Sequence, residues 1–184
     1  MRDEELIQSY LREGDERAFE SLIARHRGFI RRVLFGVFGG WPEEAEEAEQ
    51  EVLIALSRDL ARFSFKAAFT TYLYRLVRNK GLDSLRSLRR HRRRFLPEMQ
   101  DIPDTDTPQR SVLDNEEREF LYAVLARLTE KERSLLLLKE LDGFSLRETA
   151  ELMGIPEGTA KSRLHRARGR AAKIAAKLNG NGGR

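Results

Sequence analysis

Apolar residues recur along most of this chain at intervals of three and four, the spacing of one helical face, and the elements they predict are all α. Leu6, Ile7, Tyr10 and Leu11 predict a first helix from Asp3 to Arg12, and Gly14-Asp15 both ends it and caps the next. Phe19, Leu22, Ile23, Phe29, Ile30, Val33, Leu34, Val37 and Phe38 carry a second stripe as far as Gly39-Gly40. Trp41-Pro42 opens a third helix with Pro42 at its first position, and Ala45, Ala48, Val52, Ala55 and Leu56 turn toward a core. Residues 62–69 lack a clean period and read as a loop. The period returns over residues 70–94, with Leu73, Leu76, Val77, Leu85 and Leu88 facing inward. Residues 96–112 have neither period nor core-forming residues, and Pro97, Pro103 and Pro108 stand among Asp101, Asp104 and Asp106, so they read as a linker. Leu121, Val124, Leu125 and Leu128 restore a helix beyond it. The pattern thus predicts two small helical domains joined by a flexible acidic tether, at 1–95, 96–112 and 113–184.

The punctuation of the second domain is the most informative. Thr129 and Glu132 form a capping box ahead of Leu135 to Leu138, which predicts a buried supporting helix. Ser145 and Glu148 form another, starting a short helix that Gly154 ends, since glycine tolerates the positive φ of a helix stop. Pro156 then suits the first turn of a longer helix. Leu146, Ala150, Met153, Ile155, Ala160 and Leu164 fall on the inward faces of this pair, which reads as a helix-turn-helix. Its second helix turns Thr159, Lys161, Ser162, Arg163, His165, Arg166, Arg168 and Arg170 outward, a donor-rich set suited to phosphates and major-groove base edges. A solvated basic face on a core helix is the plainer alternative. Residues 171–178 are expected to extend this last helix, with residues 179–184 frayed.

Charge sharpens the picture. The net charge of the 184-residue chain is only +4, yet residues 61–95 carry 11 basic and 1 acidic residue, and residues 145–184 carry 9 and 3. Acidic stretches lie before and between these blocks, so the sequence predicts two nucleic-acid contacts on one chain. Arg62 to Phe69 interleaves Phe63 and Phe69 with Lys66, the mixture that binds unstacked single-stranded bases, although three phenylalanines this close are more often partly buried anchors. The helix after it turns Arg75, Arg78, Asn79, Lys80, Arg86 and Arg90 outward and runs into the basic stretch 89–94, which would hold a phosphate backbone. Glu43, Glu44, Glu46, Glu47, Glu49 and Glu51 make the third helix either a solvated face or a dock for a basic partner. His26 lies on an apolar stripe and reads as a core or boundary residue. The acidic tether carries no converging metal ligands. With no cysteine, no apolar run long enough to span a bilayer and no visible nucleophile, metal cluster or phosphate loop, the chain reads as a cytoplasmic, non-enzymatic protein without cofactor or metal and without membrane insertion.

With both basic blocks placed, the order of motifs resembles the extracytoplasmic-function sigma factors, a two-domain group within the sigma-seventy family of bacterial RNA polymerase. The first half carries Gly14-Asp15-x-x-Ala18-Phe19-Glu20, the run Glu46 to Val52, and Phe69-Thr-x-Tyr72-Leu73-Tyr74-Arg75-Leu76-x-Arg78-Asn79 with Asp83 and Arg86. The second carries Leu128-Thr-x-Lys-Glu-Arg133, Gly143-Phe-Ser and Gly158-Thr-Ala-Lys-Ser-Arg-Leu164. The resemblance implies that residues 1–95 are region 2, with Glu46, Glu47, Gln50, Glu51 and Ile54 docking on the clamp helices of the largest polymerase subunit. It implies that Phe63, Lys66, Phe69, Tyr72, Arg75, Arg78, Asn79, Lys80 and Arg86 open the minus-ten element and hold non-template bases, Tyr72 standing where the family usually has Trp. Residues 113–184 would be region 4, reading the minus-thirty-five duplex through Ser145, Arg147, Glu157, Thr159, Lys161, Ser162, Arg163, His165 and Arg166. Implied partners are core RNA polymerase at its clamp helices and flap, promoter DNA, and an anti-sigma factor. The competing class is a stand-alone helix-turn-helix regulator, with residues 1–95 as a sensor or dimerisation domain. Residues 63–94 discriminate, because a sensor has no reason to place an aromatic-basic loop before a basic helix whereas strand separation needs both.

Overall fold

The computed structural model describes residues 1–41, 43–95 and 115–181, and of residues 91–95, 115–116 and 180–181 the backbone only. Pro42, the expected linker 96–112 and residues 182–184 therefore lie outside the described residues, as does the side-chain chemistry of most of the basic stretch 89–94. Eight α-helices occur among the described residues: α1 (Asp3–Glu13), α2 (Glu16–Phe38), α3 (Glu43–Asp59), α4 (Phe69–Phe95), α5 (Asn115–Ala126), α6 (Glu130–Leu136), α7 (Leu146–Met153) and α8 (Glu157–Asn181). A 3₁₀ turn at Leu60–Arg62 follows α3, and a π turn at Leu137–Leu141 follows α6.

Helices α1 to α4 surround one core, in which Leu22, Ile30, Leu34, Val52, Leu56, Leu73 and Val77 are fully buried. Asp15 caps α2 by accepting from the backbone N–H groups of Arg17 and Ala18 at 3.0 and 3.3 Å, which fixes the turn between α1 and α2. His26 is a boundary residue, as its apolar stripe suggested. Its Nε2 lies 2.7 Å from Asp3 Oδ2, and its ring meets Phe69 edge-on at 5.2 Å, so it ties α1 and α4 to α2. Glu49 departs from its neighbours on α3: it is buried and accepts from Arg27 Nε at 2.9 Å and Arg31 Nε at 3.0 Å. These two bonds set the rotation of α3 against α2 and send the remaining glutamates outward.

Helices α5 to α8 enclose a second core of Leu125, Leu128, Leu135, Leu136, Ala150, Ala160, Leu164 and Ala167. Phe35 of α2 belongs to this second core, while Leu138 and Leu152 belong to the first, so the two bundles interlock through side chains. The supporting helix expected through Leu138 is shorter than its apolar run. After Leu136 the backbone widens into the π turn, where Asp142 N–H donates to Leu137 C=O at 2.9 Å, five residues back. That turn brings Asp142 to Arg32 on α2, at 2.6 Å. At the other end, α8 continues to Asn181, so residues 179–181 are helical where fraying was expected. No described helix is long and apolar enough to cross a membrane.

Candidate nucleic-acid interface

The helix-turn-helix forms as its caps dictate. Ser145 N–H donates to the Glu148 carboxylate at 2.7 Å and the Ser145 hydroxyl accepts from Glu148 N–H at 3.2 Å, closing the capping box of α7. Gly154 ends the helix at φ 66°, a left-handed conformation that a side chain would strain, and Ile155 N–H donates to Ala150 C=O at 3.0 Å. Ala150 and Ala160 are buried where α7 crosses α8. Ser145, Arg147, Glu157, Lys161, Ser162, His165 and Arg166 are exposed, and Thr159 and Arg163 half-exposed, so the expected duplex-reading set shares an accessible surface.

Arg168 and Arg170 do not belong to that surface. Arg168 Nε donates to Glu140 at 3.1 Å and Arg170 Nη1 to Glu132 at 3.0 Å, tying α8 back to the supporting helix and its π turn. The sequence presents them as two more outward arginines. Their acidic partners are 28 and 38 residues away and become visible only in the fold.

On the other bundle, Tyr72, Arg75, Asn79 and Arg86 follow the spacing of one face of α4. Arg75, Asn79 and Arg86 are exposed and Tyr72 half-buried, its hydroxyl donating to Asp59 C=O at 3.2 Å. Arg86, Arg89 and Arg90 line a shallow groove with Asp83. Lys66 is exposed and Lys80 half-exposed. Arg78 leaves this face for the neighbouring bundle, where its Nη2 donates to Glu130 at 3.1 Å.

The aromatic loop needs correction. Phe63 and Phe69, expected to stack on bases, are buried at 7% and 3% exposure. They form an aromatic cluster with Tyr72, at centroid separations of 5.6 Å between the two phenylalanines and 5.3 Å from Phe63 to Tyr72. The exposed aromatic is Phe65, 42% accessible, its ring tilted 55° against that of Phe63 at 4.8 Å and its backbone held at φ 57°. A non-glycine residue costs on the order of 1–3 kcal/mol in such a region and persists only where its surroundings enforce it. Three phenylalanines at spacings of two and four cannot be sorted into two anchors and one free ring by period alone.

On α3, Glu46, Glu47, Gln50, Glu51 and Ile54 are all exposed along one face, and Ile54 stands 57% accessible among the acidic residues.

The order of these surfaces has relatives. Residues 22–91 match the family described as Sigma-70 region 2, and residues 119–170 match Sigma-70, region 4. The ECF RNA polymerase sigma factor SigM of Mycobacterium tuberculosis H37Rv is 30% identical over 177 residues, covering 96% of this chain and 86% of its own. The chain belongs to the ECF sigma factors. The ECF sigma-E factor of Escherichia coli K12 is 28% identical over 184 residues, covering 91% of each chain. Among solved structures, the sigma factor RpoE of Bartonella quintana, in complex with the anti-sigma factor NepR, superposes with a TM-score of 0.69 at 21% identity, covering 85% of this chain and 95% of its own. CnrH, in complex with the cytosolic domain of CnrY, gives 0.63 at 23% identity, covering 96% and 99%. As an ECF sigma factor the chain directs RNA polymerase to promoters and is not an enzyme. Membership decides between the two functional classes that the sequence left in competition.

Proposed function

We propose that this sigma factor divides promoter recognition between its two basic faces and docks on core polymerase through α3. The α4 stripe of Tyr72, Arg75, Asn79 and Arg86, with Lys66 and Phe65 at its mouth, takes the opened minus-ten strand. Lys80 and Arg78 flank it, Arg78 once freed from Glu130. Phe63 and Phe69 act from beneath, by holding Phe65 and Tyr72 in place. The α7–α8 face reads the minus-thirty-five element as duplex, with Arg163 and Arg166 directed at base edges and Lys161 at phosphate. Glu46, Glu47, Gln50, Glu51 and Ile54 meet the clamp helices of the largest subunit, and the flap receives the second domain. An anti-sigma factor is a further partner, as for the solved relatives captured with NepR and CnrY. The observation that carries this reading is the single-face alignment of aromatic and basic groups on α4 beside an outward, left-handed phenylalanine.

Promoter opening tests the minus-ten assignment. Asn79→Ala is expected to transcribe poorly from duplex promoters and to recover on a template pre-melted over the minus-ten element, read by permanganate footprinting. A defect that pre-melting does not relieve removes the opening role. In the aromatic loop, Phe65→Ala removes an exposed ring that touches Phe63 and leaves the φ of 57° to be held by another non-glycine residue, so it should cost less stability than loss of a buried ring while impairing opening. Phe63→Ala should instead cost about 3–5 kcal/mol of fold stability by emptying a core site. Equal denaturation midpoints for the two variants would contradict this division.

The upstream element has its own contrast. Arg163→Ala or Arg166→Ala should reduce discrimination within the duplex by about 1–3 kcal/mol if the replaced group makes a bidentate base contact. Arg168→Ala should leave that discrimination alone, because its guanidinium is committed to Glu140. Competition binding of holoenzyme to single-base variants of the element reads both outcomes.

A further inference from the structure

The aromatic loop joins the end of α3 to the start of α4, and each of its ends is closed by a turn. Phe63 N–H donates to Leu60 C=O at 3.0 Å, completing the 3₁₀ turn, and Tyr72 N–H donates to Ala68 C=O at 3.4 Å, opening α4. Among the described residues no hydrogen bond reaches residues 64–67, so neither turn enforces the φ of 57° at Phe65. Side chains hold the path instead. Phe63 lies 5.6 Å from Phe69 and 5.3 Å from Tyr72, and Phe65 rests against Phe63 at 4.8 Å. One polar tie spans the whole segment: the Tyr72 hydroxyl donates to Asp59 C=O, 13 residues back, at 3.2 Å. That carbonyl is open to the hydroxyl because the chain tightens there. In a continuous α-helix Asp59 C=O would accept the N–H of Phe63, which the 3₁₀ turn diverts to Leu60.

The ring and the hydroxyl of Tyr72 therefore act at different places. The ring is part of the cluster beneath Phe65, while the hydroxyl reaches past that cluster to the end of α3. Asp59 is itself tied into the turn, its carboxylate 3.2 Å from Arg62 Nη1. Burial, helped by the Asp59 charge, raises the pKa of the hydroxyl, which keeps it a neutral donor. The two ends of the loop are thus drawn together by a bond that a phenylalanine at position 72 would lack while making the same ring contacts. Closing the loop in this way removes conformations that the exposed Phe65 would otherwise visit before a strand arrives. Preorganisation of this kind lowers the cost of capturing a ligand.

We infer that Tyr72 is a positioning residue for the minus-ten site: its hydroxyl pins the loop of residues 60–69 to the end of α3 and so presents Phe65 to the opened strand, independently of any contact between its ring and a base. The inference rests on the minus-ten reading above. Tyr72→Phe, which removes the oxygen and keeps the ring, is the deciding variant. In the free chain, chymotrypsin cleavage after Phe65, followed by mass spectrometry, should be about 3–10-fold faster than in wild type, the factor expected when one hydrogen bond is lost. In holoenzyme, open-complex formation on a duplex promoter should slow by a similar factor. Co-purification with core polymerase and discrimination at the minus-thirty-five element should stay unchanged. The same substitution made in a Phe65→Ala chain should add no further slowing, because the hydroxyl acts through that ring. A hydroxyl that merely supported the fold would slow both backgrounds alike. Unchanged cleavage, unchanged opening, or equal slowing with and without Phe65 overturns the inference while leaving the minus-ten reading in place. A Phe65→Ala chain that opens promoters as fast as wild type overturns both.

Discussion

A chain carrying Glu46→Lys, Glu47→Lys and Gln50→Lys is expected to keep its full helical content and to lose co-purification with core RNA polymerase. All three side chains are exposed on α3, where substitutions away from packed features change stability by less than about 0.5 kcal/mol. The electrostatic change is large by comparison, since two negative charges and one neutral group become three positive ones on a face proposed to meet a protein surface. Charge opposition at an interface lowers the association rate and leaves unfavourable contacts in any complex that forms. Glu49→Lys is the contrasting variant. That carboxylate is buried between Arg27 and Arg31, and a lysine there would face both guanidinium groups in the same confined space. Only the carboxylate is buried, the two arginines being about half exposed, so the lost pairing is screened on one side; burial of an unpaired ammonium in its place should still make Glu49→Lys show its defect in thermal unfolding before any polymerase is added. Retained co-purification by the triple variant would return α3 to the plainer status of a solvated acidic helix.

The contrast between Glu49 and its neighbours also marks what the sequence could and could not reveal. Features decided within about four residues were legible. The Ser145–Glu148 and Thr129–Glu132 boxes, the stop at Gly154 and the cap at Asp15 depend on backbone groups next to the side chains that satisfy them. Which residues share a helical face was legible too, and this located the α4 stripe and the exposed basic face of α8. What period cannot supply is the identity of the body that covers a face. Arg163 and Arg168 look alike in sequence, but Arg168 is occupied by Glu140 because the π turn swings that glutamate toward α8. Arg133 reads as an ordinary polar residue of a capped helix until the end of α2 arrives above it. Phe63, Phe65 and Phe69 are chemically equivalent, and only the loop path decides which ring stays outside. Burial shifts follow the same logic. Burial pushes the Tyr74 hydroxyl up to about 12 and the Arg133 guanidinium down to about 10, and the Asp142 carboxyl is raised by burial despite Arg32 beside it.

Removing about six residues from within 96–112 is expected to depress transcription from native promoters and to restore it, at least in part, on templates with a shortened spacer. Seventeen residues at no more than about 3.3–3.6 Å each reach roughly 56–61 Å. At about 3.4 Å per base pair, that span corresponds to roughly 16–18 base pairs of duplex. The deletion withdraws roughly 20 Å, the length of about six base pairs, which exceeds what side-chain reach at either face absorbs. Linker length should therefore act on spacing and leave each element's own sequence preference unchanged. Matched libraries, one varying the spacer and one varying the minus-thirty-five element, separate these effects. A deletion that lowers activity equally on every spacer would place the defect in folding or polymerase docking. A deletion without effect on any spacer would show that the tether does not set the distance between the two elements, and with that the division of promoter recognition between α4 and α8 would lose its geometric basis.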